Sequence, residues 1–206
     1  MRAPARIVLA TNNPGKAAEI AAAMKEVGIE VLGIHSLGDL DPVEETGATF
    51  EENARIKAEA YSLRTSLPVL ADDSGLEVDA LGGTPGVESA RYGGPGVDDA
   101  GRNRLLLEKL RGVPTKRRTA RFRCVLAVAR SGRTLATFHG VVEGRIAEEP
   151  RGENGFGYDP VFFHDGIGTT FGMIPREEKQ RLSHRGQAIA KLVEAVRSGV
   201  LDLAGG

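Results

Sequence analysis

Short apolar runs and helix-period stretches alternate through the first half of the chain. Ile7-Val8-Leu9-Ala10 has the length and composition of a buried strand. A polar loop leads from it into a helix predicted from about Lys16 to Val27. Ile20, Ala23, Met24 and Val27 lie on one face of that helix, and Gly28 closes it. Residues 29–34 read as a second strand and residues 36–43 as loop. A long helix is predicted over residues 50–63. Thr49, with Glu52 three positions on, carries a capping-box signature, and Glu51 and Glu52 suit the positive end of a helix dipole. Asn53 and Lys57 are four apart and share a face of this helix.

Leu67-Pro68-Val69-Leu70-Ala71 is a further apolar run that reads as a buried strand. It ends in Asp72-Asp73-Ser74-Gly75, after which residues 76–81 are expected to turn back in a hairpin. Residues 97–110 predict a helix with Leu105, Leu106 and Leu110 inward and Asp98 and Asp99 near its start. Ala120, Phe122 and Cys124 then alternate with Arg121 and Arg123, which predicts a strand with one charged face. That strand continues to Arg130, turns at Ser131-Gly132 and returns over residues 134–142. Beyond a Gly-rich irregular region, Val161-Phe162-Phe163 is strand-like. A final helix over residues 187–196 buries Ile189, Leu192, Val193 and Val196, and residues 198–206 are expected to fray. Strand–helix alternation early and a long hairpin later predict a mixed-sheet α/β fold.

Composition narrows this picture. A chain of 206 residues makes one domain or two closely packed lobes, and it buries a core without staples. Glycine is abundant, 27 of 206, and clusters in loops where backbone approaches backbone or ligand. The single cysteine, Cys124, lies in an apolar run and reads as a core thiol, in keeping with a reducing, cytoplasmic setting. The first residues carry no apolar leader segment, and no run approaches the ~18 apolar residues of a membrane span. No membrane partner is expected. With 27 basic and 28 acidic residues the net charge is −1, so no global field draws the protein to nucleic acid. A polyanionic ligand has to be held by local charges.

Several stretches carry candidate chemistry. Adjacent residues on a strand face opposite ways, so only one of Asp72 and Asp73 points into a given site. The pair reads either as a solvated turn or as a strand-end site for a divalent cation such as Mg²⁺. Glu45, in the loop before the second helix, is a candidate second carboxylate near Asp73. Thr11-Asn12-Asn13-Pro14-Gly15-Lys16 joins a strand to a helix N-terminus. That loop suits a phosphate, and it equally suits an ordinary Asn-capped turn. It is neither a P-loop nor a dinucleotide fingerprint. Lys57 has the usual character of a solvated lysine, and Arg91 that of a structural ion-pair partner. The basic run at residues 116–123 fits a half-exposed strand better than a nucleic-acid patch with Phe122 for stacking. Phe156 and Tyr158 lie among glycines, either to stack on a planar ring or as a packed aromatic turn, with Asp159 placed to read a base edge. Residues 175–186 are densely cationic, and Ser183-His184-Arg185 puts donors just before the last helix.

Taken in order, six motifs resemble the inosine-triphosphate pyrophosphatase family. They are Thr11-Asn12-Asn13-Pro14-Gly15-Lys16, Glu45-Thr46-Gly47, Glu52-Asn53-Ala54, Ala71-Asp72-Asp73-Ser74-Gly75, Gly155-Phe156-Gly157-Tyr158-Asp159-Pro160 and Ser183-His184-Arg185-Gly186. The resemblance spans residue 7 to about 196. Asn12 departs from it, since the family often has Gly there.

The resemblance implies a single two-lobed domain over residues 1–206, with an elongated mixed sheet flanked by helices and the nucleotide in a cleft between the lobes. It implies Mg²⁺, a homodimer, and hydrolysis of ITP, dITP and XTP to monophosphate and pyrophosphate, which removes deaminated purines from the nucleotide pool. Asp73 would be the general base and, with Glu45, would hold the metal, with Asp72 a further contributor. Thr11, Asn12, Asn13, Pro14, Gly15 and Lys16 would cradle the phosphates. Ser74 and Lys179 would touch the substrate, as would Lys57. Phe156, Gly157, Tyr158 and Asp159, with His184 and Arg185, would frame the base. Lys16, Lys57, Lys179 and Arg185 supply local positive charge for a polyphosphate, and an aspartate beside the metal is expected to have a low pKa. Hypoxanthine and xanthine carry an acceptor at C6 where adenine carries a donor, a difference worth roughly 10⁴-fold in a hydrogen-bonding site. A pyrimidine-directed pyrophosphatase and a non-catalytic nucleotide or RNA binder are the competing readings.

Overall fold

Parallel strand pairing near the start of the chain sets the geometry on which the candidate site rests. β1 (Ala5–Ala10) lies between β2 (Ile29–Gly33) and β3 (Val69–Val78), parallel to both. Its register pairs Val8 with Val69, Leu9 with Leu70 and Ala10 with Ala71. The residues that follow, the Thr11 loop on one strand and Asp72-Asp73 on the other, therefore leave the shared ladder side by side. The carboxyl ends of adjacent parallel strands are the usual ligand position in α/β sheets.

In the computed structural model of the chain, residues 5–203 are described. β4 (Thr119–Arg130), β5 (Arg133–Ile146), β6 (Phe162–His164) and β7 (Thr169–Thr170) complete a mixed sheet in the order β2-β1-β3-β4-β5-β6-β7, its last two pairings antiparallel. Five α-helices accompany it among the described residues: α1 (Pro14–Glu26), α2 (Phe50–Ser62), α3 (Asp99–Lys109), α4 (Arg176–Leu182) and α5 (His184–Arg197). None is long and apolar enough to cross a membrane.

The chain divides into two compact units. The first is Met1–Asp73, Cys124–Gly140 and Arg185–Gly206; the second is Ser74–Arg123 and Val141–His184. The first has its core under β1 and α1, where Ile7, Leu9, Ile20, Met24, Leu70, Leu126 and Leu192 are buried together. The second packs Leu76, Leu106, Leu110, Phe122, Ile146, Phe162 and Phe171. Phe122, Phe162 and Phe171 form an aromatic cluster there, with centroids 4.5 to 6.4 Å apart.

Local signals in the sequence reappear as local structure. Asn13 caps α1 with Pro14 in its first turn, and Gly28 follows its end at φ +71°. The Thr49–Glu52 capping box is formed in full. Ser131 and Gly132, both at positive φ, make the turn between β4 and β5.

Three expectations are corrected. Residues 67–81 do not make a strand and a returning hairpin partner: β3 runs unbroken from Val69 to Val78 with Asp72-Asp73-Ser74-Gly75 inside it. Lys16 and Arg185 neutralise the Asp72 carboxylate, and tertiary contacts of this kind override the poor strand propensity of the four residues. The cationic stretch after Pro175 is a helix of its own, α4, and α5 starts at His184 rather than Gln187. The tail from Ser198 does not simply fray, because Leu201 and Leu203 are buried in the first core and Arg130 donates to the Leu203 carbonyl. The rest of that expectation, residues 204–206, lies outside the described residues.

Candidate active site

The loop after β1 is built by its own side chains. The Asn13 N–H donates to Thr11 Oγ1 at 3.2 Å, and Asn13 Oδ1 accepts from the Lys16 N–H at 3.0 Å. This fixes Thr11 to Lys16 as a tight entry to α1, while Asn12 is exposed. The Lys16 ammonium lies 2.6 Å from Asp72 Oδ1.

Asp72 is wholly buried. Arg185 Nε approaches its Oδ2 at 3.4 Å and the Cys124 thiol donates to the same oxygen at 3.7 Å. Burial alone would raise the Asp72 pKa, but Lys16 and Arg185 outweigh it and hold the carboxyl far below the usual range. Burial and the Asp72 charge push the Cys124 thiol up, so it stays a protonated donor.

Asp73, its neighbour, has the opposite character. Burial drives its pKa up to about 6, the Glu45 and Asp72 charges add to this, and Lys57 and Lys16 oppose it. Glu45 meets the Lys57 ammonium at 2.6 Å, and Lys57 donates to the Asp72 carbonyl at 3.0 Å. Burial works against the Lys57 charge, yet Glu45 and the aspartates keep its pKa raised. One turn earlier on α2, Asn53 Oδ1 accepts from the Gly47 N–H at 2.7 Å. A Cβ at Gly47 would come 2.6 Å from the Glu52 Cβ, so only glycine lets the Glu45 loop lie this close to the helix.

In the second unit, Lys179 is buried with its ammonium 4.5 Å above the centre of the Phe156 ring. It forms an ion pair with Asp159, whose Oδ2 also accepts from the Phe156 N–H at 2.8 Å. Gly157 is held from both sides, its N–H by Asp99 at 2.7 Å and its carbonyl by Asn103 at 3.0 Å. Tyr158 donates to the Ser89 carbonyl at 2.9 Å within the second core. His184 is buried and stacks on Phe122, centroids 4.7 Å apart and planes 14° apart.

A sequence profile described as the Ham1 family matches residues 7–195 of the chain. The chain belongs to the Ham1 family. It is 53% identical over 188 residues to a dITP/XTP pyrophosphatase of Geobacillus kaustophilus, covering 91% of this chain and 92% of that one. It is 48% identical over 185 residues to a dITP/XTP pyrophosphatase of Bacillus subtilis, covering 90% and 93%. The structure of a HAM1 protein from Coxiella burnetii matches with a TM-score of 0.87 at 42% identity, covering 94% of this chain and 98% of that chain.

Within this Ham1 chain the structure gathers Thr11 to Lys16, Glu45, Lys57, Asp72 and Asp73 into one charged group in the first unit. Lys57 is not the solvated lysine its surroundings in the sequence suggest, since its side chain is only 16% exposed. Several of the expected substrate contacts also have protein partners. The Arg185 guanidinium pairs with Asp72 and with Glu19, the latter at 3.0 Å. Asp159 caps the Phe156 backbone and neutralises Lys179, Tyr158 packs in the core, and the Gly157 backbone is held by α3. Ser74 lies partly exposed in the middle of β3, just after Asp73. Arg91 pairs with Glu88 as expected. In the basic run, Arg121 and Arg123 are balanced by Glu77, Asp79 and Glu143, the charged strand face predicted from alternation.

Sequence reasoning did not single out Glu19 or Asn103 and gave Asp99 no role. Glu19 sits three residues after Lys16, and a charged residue on the buried face of a helix was the available signal. Asn103 is likewise a polar residue next to the inward leucines of α3.

Gly155 is a sensitive point of the second group. It has φ +79°, and a Cβ there would run into the Asp159 carboxylate. Gly155→Ala is expected to displace Asp159 from Phe156 and Lys179 and to lower stability by about 1–3 kcal/mol. Thermal melting against the unchanged chain measures it; an equal midpoint would contradict the packing described.

Proposed function

We propose that the protein hydrolyses ITP, dITP and XTP to the monophosphate and pyrophosphate, and so removes deaminated purines from the nucleotide pool. The observation that carries this reading is Asp73. It is a buried carboxylate with a pKa near 6, beside Glu45, Lys57 and Lys16, next to a helix N-terminus. A carboxylate poised close to neutral pH is suited to take a proton from an attacking water. The relatives' name, dITP/XTP pyrophosphatase, supports two of these substrates, dITP and XTP.

Within this proposal, Asp73 orients and deprotonates the water that attacks the α-phosphorus. The N–H groups at the start of α1 and the Lys16 ammonium receive phosphate oxygens. Lys57 holds Glu45 in place and offsets the charge around Asp73. Ser74 and Lys179 contact the substrate. Phe156 offers a ring face for the purine, with His184 and the backbone of residues 156–159 shaping the base site. Arg185 and Asp159 serve this arrangement by holding Asp72 and Lys179.

The donor set suits Mg²⁺. Asp73 and Glu45 offer hard carboxylate oxygens, and Glu45 is near enough to raise the Asp73 pKa, a repulsion that a cation relieves. Mg²⁺ takes one or two carboxylates and completes its shell with water and substrate phosphate. Bound Mg²⁺ would neutralise charge on the departing pyrophosphate. A homodimer in the cytoplasm completes the proposal.

The test is product analysis with Mg²⁺ on ITP, dITP, XTP, ATP and GTP. Pyrophosphate and monophosphate from the first three, with ATP and GTP spared, is the expected result. Orthophosphate as the product would move attack to a terminal phosphate and overturn the assigned chemistry. Equal turnover of ATP and GTP would overturn the specificity.

A further inference from the structure

One turn of α3 grips both sides of a single glycine in the loop that carries Phe156. Asp99 and Asn103 are four residues apart on that helix and share a face. Asp99 Oδ2 accepts from the Gly157 N–H at 2.7 Å, and Asn103 Nδ2 donates to the Gly157 carbonyl at 3.0 Å. The N–H and the carbonyl belong to the two planar peptide units that flank Gly157, so holding both fixes its φ and ψ together. Gly157 has φ +64°, a left-handed conformation that glycine enters and leaves at little cost. The helix selects that conformation. Asn103 is buried, and the other oxygen of Asp99 pairs with Arg102.

We infer that Asp99 and Asn103 are positioning residues for the Phe156 ring; this rests on the proposed role of that ring as a face for the purine. The peptide unit held by Asp99 joins Phe156 to Gly157. On the other side of Phe156, its N–H donates to Asp159 Oδ2 at 2.8 Å. The backbone is thereby fixed before and after Phe156, and the direction of its side chain follows. The two residues beyond Gly157 have ties of their own, Tyr158 to the Ser89 carbonyl and Asp159 to Lys179. Loss of the clamp on Gly157 therefore falls on the ring that precedes it. A ring that wanders from its place above Lys179 no longer offers a planar base a preformed face, and ordering it again weakens binding.

The experiment uses the full chain with Mg²⁺ and reads KM and kcat for ITP by pyrophosphate release. Asp99→Ala and Asn103→Ala are each expected to raise KM about tenfold and to leave kcat within about twofold, since base stacking is remote from the α-phosphorus. Arg102→Ala removes the ion pair of Asp99 but leaves the clamp, and is expected to keep both constants within about twofold. In a Phe156→Ala background, Asp99→Ala is expected to add no more than about twofold, because the ring through which it acts is gone. An unchanged KM in either clamp variant overturns the inference. So does an equal loss in Arg102→Ala, which marks the ion pair as the cause, or a full tenfold loss persisting without Phe156. Failure of both clamp variants to fold also overturns it, by making the pair a folding element. A parent that releases no pyrophosphate from ITP overturns the hydrolase reading and takes this inference with it. A parent that does, with unchanged clamp variants, overturns this inference alone.

Discussion

Asp73→Asn is expected to abolish turnover and at the same time to stabilise the protein. In the proposed mechanism, loss of this base removes about a 10²–10⁴-fold contribution. The stability gain follows from the raised pKa. A carboxyl near 6 in the folded chain and 3.8 as a free side chain binds its proton more tightly when folded. Its ionised form therefore opposes folding: the penalty grows as pH rises from about 4 to about 6 and is constant above that. At pH 7 it amounts to about 2–3 kcal/mol, which the neutral, near-isosteric asparagine escapes. The comparison is made with divalent ions chelated, by denaturant melts at pH 4 and pH 7. The variant should exceed the parent at pH 7 and match it at pH 4. A less stable variant at pH 7, or one with ordinary turnover, would contradict the assignment of Asp73. A site residue that costs stability until its ligand arrives is the expected signature of function placed against folding.

Asp72→Asn, one residue away, is expected to do the reverse. Here the carboxylate is the central anion of a buried row, and its loss leaves Lys16 and Arg185 with Glu19 as the only remaining anion of the four. Breaking a buried pair by removing one partner typically costs about 3–5 kcal/mol. For a chain of this size that lowers the melting midpoint by about 10 °C or more. The pH dependence also has the opposite sign. The folded pKa of Asp72 lies below its free value of 3.8, so its stabilisation is complete above that value and is lost progressively as pH falls from there through the folded pKa. The advantage of the parent over the variant should shrink progressively as pH falls below about 4. A variant as stable as the parent at pH 7 would contradict the row. Any loss of activity should be compared with the loss of folded protein, because Asp72 pairs with Lys16 and Arg185 in the buried interior.

The two predictions show how far the sequence could be read. Asp-Asp at the end of an apolar run marked the place, and the alternation rule said that the two carboxylates would differ. The sign and size of the difference came from partners far along the chain: Arg185 lies 113 positions from Asp72 and 166 from Glu19. The same holds for Lys57, whose place on α2 was evident from the helix pattern, while its burial between Glu45 and the Asp72 carbonyl was not. In the second unit, the Gly-Phe-Gly-Tyr-Asp stretch announced itself by composition. That Asp159 faces inward to its own loop and to Lys179 depends on where α4 packs, and α4 was not anticipated because charged residues crowd it.

By itself the sequence determined what rests on interactions within a few residues. The capping of α1 and α2, the turn at Ser131-Gly132, the apolar faces of the helices and the ordered motifs of the family belong to that class. Only the tertiary structure decided which charges are shared, buried or left poised. The strength of an ion pair and the pKa of a carboxylate depend on distance and on exclusion of water, and both are set by packing between segments remote in the chain. Two neighbouring aspartates of identical chemistry thus become, through burial and the company each keeps, a structural anion and a candidate base.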